Sequence, residues 1–165
     1  MWCYAYNDYG SNSVSKAQPV SLRLPTEVYE VIEETVRRTS RTFSSVANEM
    51  LTEAARMRRV PGIVFGDGPT GRRAQLAGTG LDVWEVIQTY QGLDGNEERL
   101  KAAYDWLEDH QLRSAFAYYQ AYPAEIDERL AREQAWTPER LYAKYPFVRP
   151  PRSSSSSTSG HTPVF

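Results

Sequence analysis

The chain has 165 residues, 41% of them hydrophobic, and a formal net charge of -2, so its length allows one or two small domains. The near-neutral charge excludes a general attraction to nucleic acid, and such a role must come from a local patch. The single cysteine, Cys3, excludes an internal disulfide, and no run approaches the roughly 20 apolar residues of a membrane span. We therefore expect a cytoplasmic protein with no membrane segment.

The charges are unevenly distributed along the chain. Residues 18–60 hold seven arginines and six glutamates, a net charge of +1, whereas residues 81–134 hold five basic and twelve acidic side chains, a net charge of -7. DNA phosphates repel an acidic surface such as the one expected of residues 81–134. The N-terminal half is therefore the better candidate for DNA contact.

The first predicted element is a strand. Residues 1–17 show no hydrophobic period and are expected to form a flexible N-terminus. After them, apolar and polar residues alternate in the order Val20, Ser21, Leu22, Arg23 and Leu24, and Pro25 stops the strand. A lone strand this short has no partner for its backbone groups. We therefore expect it to pair antiparallel with the same strand of a second copy, in a swapped-strand dimer.

Two helices are predicted after this strand. Thr26 is the expected cap of the first, which carries its apolar stripe at Val28, Val31, Ile32, Thr35 and Val36. The sequence TSRT, residues 39–42, breaks this helix, and Thr42 or Ser44 can cap the second. The second apolar stripe comprises Val46, Ala47, Met50, Leu51 and Ala54.

The stretch PVSLRLPTEVYEVIEETVRRTSRTFSSVANEMLTEAARMR resembles a ribbon-helix-helix domain, which we place at residues 18–59. The resemblance lies in R-L-P at the strand end, in T-E-V after it, and in S-R-T-F-S at the start of the second helix. A glycine is usual between the two helices of that family, and Thr39 and Ser40 stand there instead. The resemblance implies a dimer that binds an operator in double-stranded DNA.

This resemblance assigns candidate DNA-binding residues. It gives the base-reading places on the ribbon to Pro19, Ser21 and Arg23, although Pro19 offers no side-chain hydrogen bond. The amides at the start of the second helix form an anion site for a DNA phosphate, with Arg41 as reinforcement. The residues of that second group are Arg41, Thr42, Ser44 and Ser45. The alternatives are that Arg23 is a solvated strand residue and that the helix start is ordinary capping.

The sequence GDGPTG, residues 66–71, matches the glycine pattern of dinucleotide-binding loops. Such a loop requires a helix directly after it, and Gly78 and Gly80 interrupt the chain too soon. We therefore predict a β-hairpin, with strands at 63–65 and 72–76, and no cofactor. Arg72 and Arg73 are expected to pair with nearby carboxylates, while contact with phosphates or with a partner protein stays open.

Three short helices are predicted after the hairpin, in a helix-turn-helix-like unit within a domain at 60–134. Asp82 and Glu85 have the spacing of a capping box for the first helix, and Asp94 or Asn96 can cap the second. The third follows residues 108–110 and ends at Pro123. The expected inward residues are Val83, Val86, Ile87, Tyr90, Leu100, Ala103, Tyr104, Leu107, Leu112, Ala115, Phe116 and Tyr119. The chain as a whole is thus predicted to be mainly α.

Residues 63–130 resemble the small DUF433 family, whose members look like antitoxins of prokaryotic toxin-antitoxin pairs. The sequences GRRAQLAGTGLDVWEVI and LRSAFAYYQAYPAEID carry this resemblance. Together with the ribbon-helix-helix motif it implies an autorepressing antitoxin, a homodimer or higher oligomer, whose cognate toxin is a PIN-like ribonuclease. The alternative is a stand-alone transcriptional regulator whose second domain is an oligomerisation module.

The sequence WTPERLYAKYPF is predicted to begin a last helix at residues 137–139. Aromatic side chains and arginines are concentrated here, which is typical of an interface anchor. We assign partner binding to segment 135–150, through Trp136, Arg140, Leu141, Tyr142, Tyr145, Phe147 and Arg149. Packing of this helix onto its own domain is the alternative. Residues 151–165 form a Ser-rich tail that we expect to be disordered.

Catalytic combinations are scarce in this sequence. It contains two histidines, His110 and His161, and neither belongs to a metal-binding or nucleophile-activating motif. Acidic pairs such as Glu97 and Glu98 are typical of solvated helix faces. We expect no enzymatic activity, no cofactor and no metal.

Overall fold

The computed structural model describes residues 19–68, 71–135 and 137–148. Within these ranges it contains seven α-helices and one two-stranded antiparallel sheet, so the predicted mainly α class is confirmed. The chain divides into two compact units, Met1–Glu49 and Met50–Phe165. None of the described helices is long and apolar enough to cross a membrane.

The described part of the first unit begins with residues 19–25, which have no regular secondary structure in the single chain. Helix α1 follows at Thr26–Thr39. Thr26 was expected to cap α1, and this was wrong, because Pro25 holds the N-cap position and Thr26 is the first helical residue. Pro25 has an extended backbone, and its carbonyl accepts the first helical hydrogen bond from the Tyr29 amide at 3.0 Å.

A tight turn separates α1 from helix α2, which spans Phe43–Arg59. Ser40 occupies the left-handed region with φ 55°, and its amide donates to the Val36 carbonyl at 2.8 Å. A serine thus takes the conformation that usually favours glycine at a helix C-terminus. Thr42 caps α2, since its Oγ1 accepts from the Ser45 amide at 3.2 Å.

The second unit contains the predicted hairpin. Strand β1 spans Ile63–Gly68 and strand β2 spans Gly71–Leu76, and they pair antiparallel with Ile63 opposite Leu76. The next helix, α3, begins only at Val83. The glycine-rich sequence therefore joins two strands rather than a strand and a helix, and the hairpin prediction is confirmed.

Helices α3, Val83–Gly92, α4, Glu97–Ala103, and α5, Asp109–Ala121, follow the hairpin as predicted. Asp82 and Glu85 form the expected capping box of α3, and the Asn96 side chain accepts from the amide at the start of α4. Helix α4 is shorter than expected. As a result Ala103 is exposed, while Leu107 lies beyond the helix and is still buried.

A fourth helix, α6, spans Pro123–Gln134 and corrects the expectation of three. Pro123 follows the end of α5, as predicted, and also occupies the first turn of α6. Proline is tolerated there because the first amides of a helix have no intrahelical partner. Ile126 and Leu130 are four residues apart and therefore lie on one face of α6, and both are buried in the core.

The core of the second unit gathers side chains from the end of α2, the hairpin and helices α3 to α6. Its buried members are Val60, Ile63, Ala74, Leu76, Val83, Val86, Ile87, Leu100, Leu107, Leu112, Ala115, Tyr118, Ile126 and Leu130. Phe116 and Tyr119 pack against this core while partly exposed. The largest of the fully buried side chains is Tyr118, which the apolar pattern did not select.

The predicted C-terminal helix is present as α7, Pro138–Lys144, followed by a short 3-10 helix at Pro146–Val148. The Arg140 amide donates to Thr137 Oγ1 at 3.3 Å, so Thr137 caps the helix. Tyr145, one of the predicted partner-binding residues, lies just beyond the end of α7.

Candidate nucleic-acid and partner interfaces

The first unit presents an apolar surface to solvent. Tyr29 and Phe43 pack with ring centroids 5.3 Å apart, and together with Leu22 and Leu24 they line a shallow groove. Leu22 is 63% exposed. The other large apolar side chains exposed in this unit are Val20, Val28, Tyr29 and Val31. We define the apolar face of the first unit as Val20, Leu22, Val28, Tyr29 and Val31.

The interior of the same unit is small. Among its described residues, Ile32 and Val46 are the buried hydrophobic side chains. Two such residues cannot offset the conformational entropy of ordering about 30 residues. Further burial must come from outside the isolated unit.

The candidate base-reading residues Pro19, Ser21 and Arg23 are all exposed and alternate with Val20 and Leu22. Residues 19–25 belong to no sheet within the single chain. Polar and apolar residues thus alternate along this segment without forming a sheet in the single chain. Pairing with the strand of a second copy stays a prediction.

The start of α2 shows how its candidate phosphate site is arranged. Ser44 and Ser45 are exposed, and the Thr42 hydroxyl already accepts from one of the first amides. Arg41 Nη1 donates to both carboxylate oxygens of Glu49, at 2.8 and 2.9 Å, and its Nη2 donates to Ser45 Oγ at 2.9 Å. In the single chain the Arg41 charge is thus compensated, and contact with a phosphate would require exchange of the Glu49 partner.

The hairpin arginines pair with carboxylates of the second unit, as expected. Arg72 donates to both Glu53 oxygens, at 2.5 and 2.9 Å, and to Asp67 at 3.1 Å. The hydrogen bond to Glu53 is the largest of the effects that raise the pKa of Arg72. Arg73 Nε lies 3.0 Å from an Asp82 oxygen. These ion pairs favour a structural role for both arginines.

Asp82 was predicted only as a helix cap, but its carboxylate is also buried among several polar side chains. It is 2% exposed, and its carboxylate accepts from Gln75 Nε2 and from Trp84 Nε1, both at 2.8 Å. The charge of Arg73 and two neutral donors thus satisfy a buried carboxylate, as burial requires. This arrangement joins strand β2 to the start of α3.

A partly buried polar cluster around the buried Tyr118 was not predicted from the sequence. The Tyr118 hydroxyl donates to Glu125 Oε1 at 2.9 Å and accepts from Arg56 Nη1 at 3.1 Å, and Arg56 also pairs with Glu125 Oε2. The Arg56 guanidinium lies over the Tyr122 ring at 4.6 Å. Burial is the largest cause that raises the pKa of the Tyr118 phenol, and the Glu125 charge adds to it. The cluster ties the end of α2 to α5 and α6 within the second unit.

The predicted partner-binding segment is only partly described. Trp136 and Arg149 lie outside the described residues, as does the side chain of Leu141. Tyr142 is half-buried, and Phe147 is 83% exposed. The rings of Tyr145 and Phe147 pack with centroids 6.0 Å apart, and Arg140 Nη1 donates to the Ala135 carbonyl at 3.0 Å.

In the part of the chain that the structure describes, α7 packs against the 3-10 helix at Pro146–Val148 and against no other helix or strand. An exposed aromatic segment of this kind is typical of a surface that binds a partner.

The described residues contain no group of three or more His, Cys, Asp or Glu side chains that could hold a metal ion. His110 is exposed in the first turn of α5, and His161 lies outside the described ranges.

Comparisons with known proteins found no match among protein families, curated proteins or solved structures. The two family resemblances therefore depend on the quoted motifs. They stay predictions.

Proposed function

We propose that the chain is a DNA-binding dimer in which residues 20–24 pair with the same residues of a second copy. The observation that carries this proposal is the exposed apolar face of the first unit, whose members Val20 and Leu22 alternate with Ser21 and Arg23. Pairing of two such segments over four helices would bury the apolar face and satisfy the backbone groups of both strands. A symmetric dimer would thus supply both the burial of apolar side chains and the partners for the strand backbone.

The same pairing would place the polar residues on the outer side of a two-stranded ribbon. A ribbon of this kind fits the major groove, where an arginine can donate two hydrogen bonds to guanine and a serine can bond to several bases. Arg23 is the candidate for base recognition. The amides at the start of α2 would contact a backbone phosphate and fix the position of the ribbon.

We further propose that the protein is the antitoxin of a toxin-antitoxin pair, on the strength of the two motif resemblances and the exposed C-terminal segment. The cognate toxin would be a PIN-like ribonuclease with a metal-binding carboxylate site. Arg140 or Arg149 could neutralise such a site. Since the toxin would bind the second unit and DNA the first, the complex could join dimers and raise operator affinity through multivalency.

The proposal is tested by fluorescence anisotropy of the purified protein on the DNA directly upstream of its gene, over a series of salt concentrations. We expect Arg23→Ala to lose about 1–3 kcal/mol of binding free energy and most of the preference over scrambled DNA. Arg132→Ala is the control, because that exposed arginine lies in the acidic second domain. Equal affinity of wild type and Arg23→Ala for this DNA at every salt concentration would show that the ribbon does not recognise the DNA sequence.

The antitoxin role is tested separately by co-expressing the chain with the protein encoded by the neighbouring gene. We expect the two to co-purify, and we expect the chain to relieve growth arrest caused by the neighbour. Specific operator binding without a toxic neighbour would instead support a stand-alone regulator.

A further inference from the structure

Arg41 directly precedes Thr42, the residue that caps α2, and its side chain lies along that helix. Its Nη1 donates to both carboxylate oxygens of Glu49, at 2.8 and 2.9 Å. Its Nη2 donates to Ser45 Oγ at 2.9 Å. Because Ser45 and Glu49 are four residues apart, they are neighbours on one face of α2. The guanidinium is thus held across the first two turns of the helix.

The ion pair between Arg41 and Glu49 is neither fully buried nor fully exposed. The Arg41 side chain is 38% exposed and the Glu49 side chain 29% exposed. Hydrogen bonds between charged groups are stronger than those between neutral ones, and water screens a partly buried pair less than an exposed one. The pair is therefore stable enough to hold Arg41 in the free protein, and it can still be reached by a competing anion from solvent.

The chain around the turn between α1 and α2 is basic. Residues 35–48 contain three arginines, Arg37, Arg38 and Arg41, and no Asp or Glu. Arg37 and Arg38 are exposed in the last turn of α1. Glu49 is the first carboxylate after this stretch, and it pairs with the arginine nearest to the start of α2. Glu49 thus offsets part of a positive charge that would otherwise attract anions to this turn.

The start of α2 is also where the proposed DNA-binding dimer would contact a phosphate. Thr42 occupies two amides of the first turn, because its hydroxyl accepts from Ser45 and its carbonyl accepts from Val46 at 3.1 Å. The amides that precede them have no carbonyl partner within the helix, as at any helix start. A phosphate on those amides would lie in the same turn that holds the Arg41 guanidinium, and it would compete with Glu49 for that charge.

We infer that Glu49 is an autoinhibitory residue which competes with DNA phosphate for Arg41, an inference that rests on the DNA binding proposed above. In the free protein Arg41 pairs with Glu49. In the DNA complex Arg41 leaves this carboxylate for a phosphate, so that one ion pair breaks for each one that forms. Arg41 therefore adds little affinity in wild type, and the carboxylate left behind repels the DNA.

The competition acts on all DNA sequences alike. Phosphate contacts fix the position of a protein on DNA but carry no sequence information. A weaker phosphate contact lowers the affinity for every sequence by about the same factor, and it leaves the base contacts proposed for Arg23 unchanged. Glu49 therefore sets the strength of DNA binding and not the preference for one sequence over another.

The test is a double-mutant cycle by fluorescence anisotropy, on the upstream DNA and on a scrambled duplex, over a series of salt concentrations. We expect Glu49→Gln to bind both duplexes about tenfold more tightly at about 0.1 M salt, because the amide keeps the shape of the side chain without its charge. The slope of log affinity against log salt should steepen by about 2, one phosphate contact from each copy of the dimer. Arg41→Ala should weaken binding about twofold in wild type and more than about tenfold in Glu49→Gln.

Glu34→Gln is the matched control, because Glu34 is exposed on α1 in the same unit and its substitution removes the same charge. Any gain in affinity from that change should be the same with and without Arg41→Ala. A gain from Glu49→Gln that persists in full beside Arg41→Ala would overturn the inference, since Glu49 would then act only through the net charge. Equal affinities of wild type and Glu49→Gln, or an unchanged salt slope, would overturn it as well.

Failure of the proposed function gives a different result from failure of this inference. If wild type binds both duplexes equally and the cycle still shows coupling between Arg41 and Glu49, recognition of the operator fails and the competition stands. If no variant binds either duplex even at low salt, both proposals are overturned. Circular dichroism of each variant checks that it folds, and Glu49→Ala gives the same comparison if Glu49→Gln does not fold.

Discussion

Tyr118 and Tyr119 are neighbours in α5 whose hydroxyls meet different surroundings. Tyr118 is buried between Arg56 and Glu125, whereas Tyr119 donates to the exposed Asp127. We expect Tyr118→Phe to lower the free energy of unfolding by about 1–2 kcal/mol, because two charged groups lose a buried partner. Tyr119→Phe should cost about 0.5 kcal/mol or less. Urea denaturation of both variants measures the difference, and equal costs would contradict it.

The alkaline stability of the protein should also depend on Tyr118. Burial raises the pKa of this phenol above that of an unfolded tyrosine, about 10. The protonated phenol is therefore favoured in the folded state, and its contribution is retained below about pH 10 and lost as the pH rises further. We expect the free energy of unfolding to fall more steeply between about pH 9.5 and 11 in wild type than in Tyr118→Phe. Parallel curves would show that Tyr118 does not contribute.

Single residues were the hardest features to predict. Arg56 is 62 residues before Tyr118 and 69 before Glu125, and no local spacing connects it to them. Asp82 was predicted as a helix cap, but its burial depends on Arg73, Gln75 and Trp84. Polar clusters of this kind form only when helices and strands pack together.

At the scale of elements, the turn between α1 and α2 places Ser40 in the left-handed region. A side chain in this conformation costs about 1–2 kcal/mol, which glycine avoids. We expect Ser40→Gly to raise the free energy of unfolding by about 1 kcal/mol, measured by urea denaturation at fixed protein concentration. Ser44→Gly is the control, because a glycine within α2 should lower stability by up to about 1 kcal/mol. A shift in the same direction for both variants would argue against this explanation.

Helix starts and the hairpin were predictable because their signals are local. Thr42, Asp82 and Asn96 each cap a helix within three residues, and turn residues separate the two strands. Helix α6 was missed because Pro123 was interpreted only as a helix end. Its place in the core, through Ile126 and Leu130, depends on contacts with distant elements.

At the scale of the whole molecule, self-association should depend on the apolar face of the first unit. We expect Leu22→Asp to abolish dimers in sedimentation velocity and to abolish DNA binding with them, because a charge cannot be buried between paired strands. Phe147→Asp is the control, since that residue is also a large apolar one and still more exposed but lies in the C-terminal segment. Dimers that persist in Leu22→Asp would place the self-association surface elsewhere.

The sequence predicts pairing with a second copy but does not predict the geometry of that pairing. The alternation from Val20 to Leu24 and the small interior of the first unit both indicate missing burial. The hydrogen bonds that would complete a ribbon lie between chains, and a single chain contains half of their donors and acceptors.

The hairpin glycines have a consequence for how this sequence can vary. A Cβ atom at Gly66 would lie 2.2 Å from Gln75 Oε1, and one at Gly68 would lie 2.3 Å from Arg73 Nε. The match to a nucleotide-loop pattern thus reflects space needed by side chains across the hairpin. Alanine at position 66 should be better tolerated once Gln75 is also shortened, although shortening Gln75 by itself removes a donor to Asp82. Positions 66 and 75 should therefore show epistasis, each change altering the cost of the other.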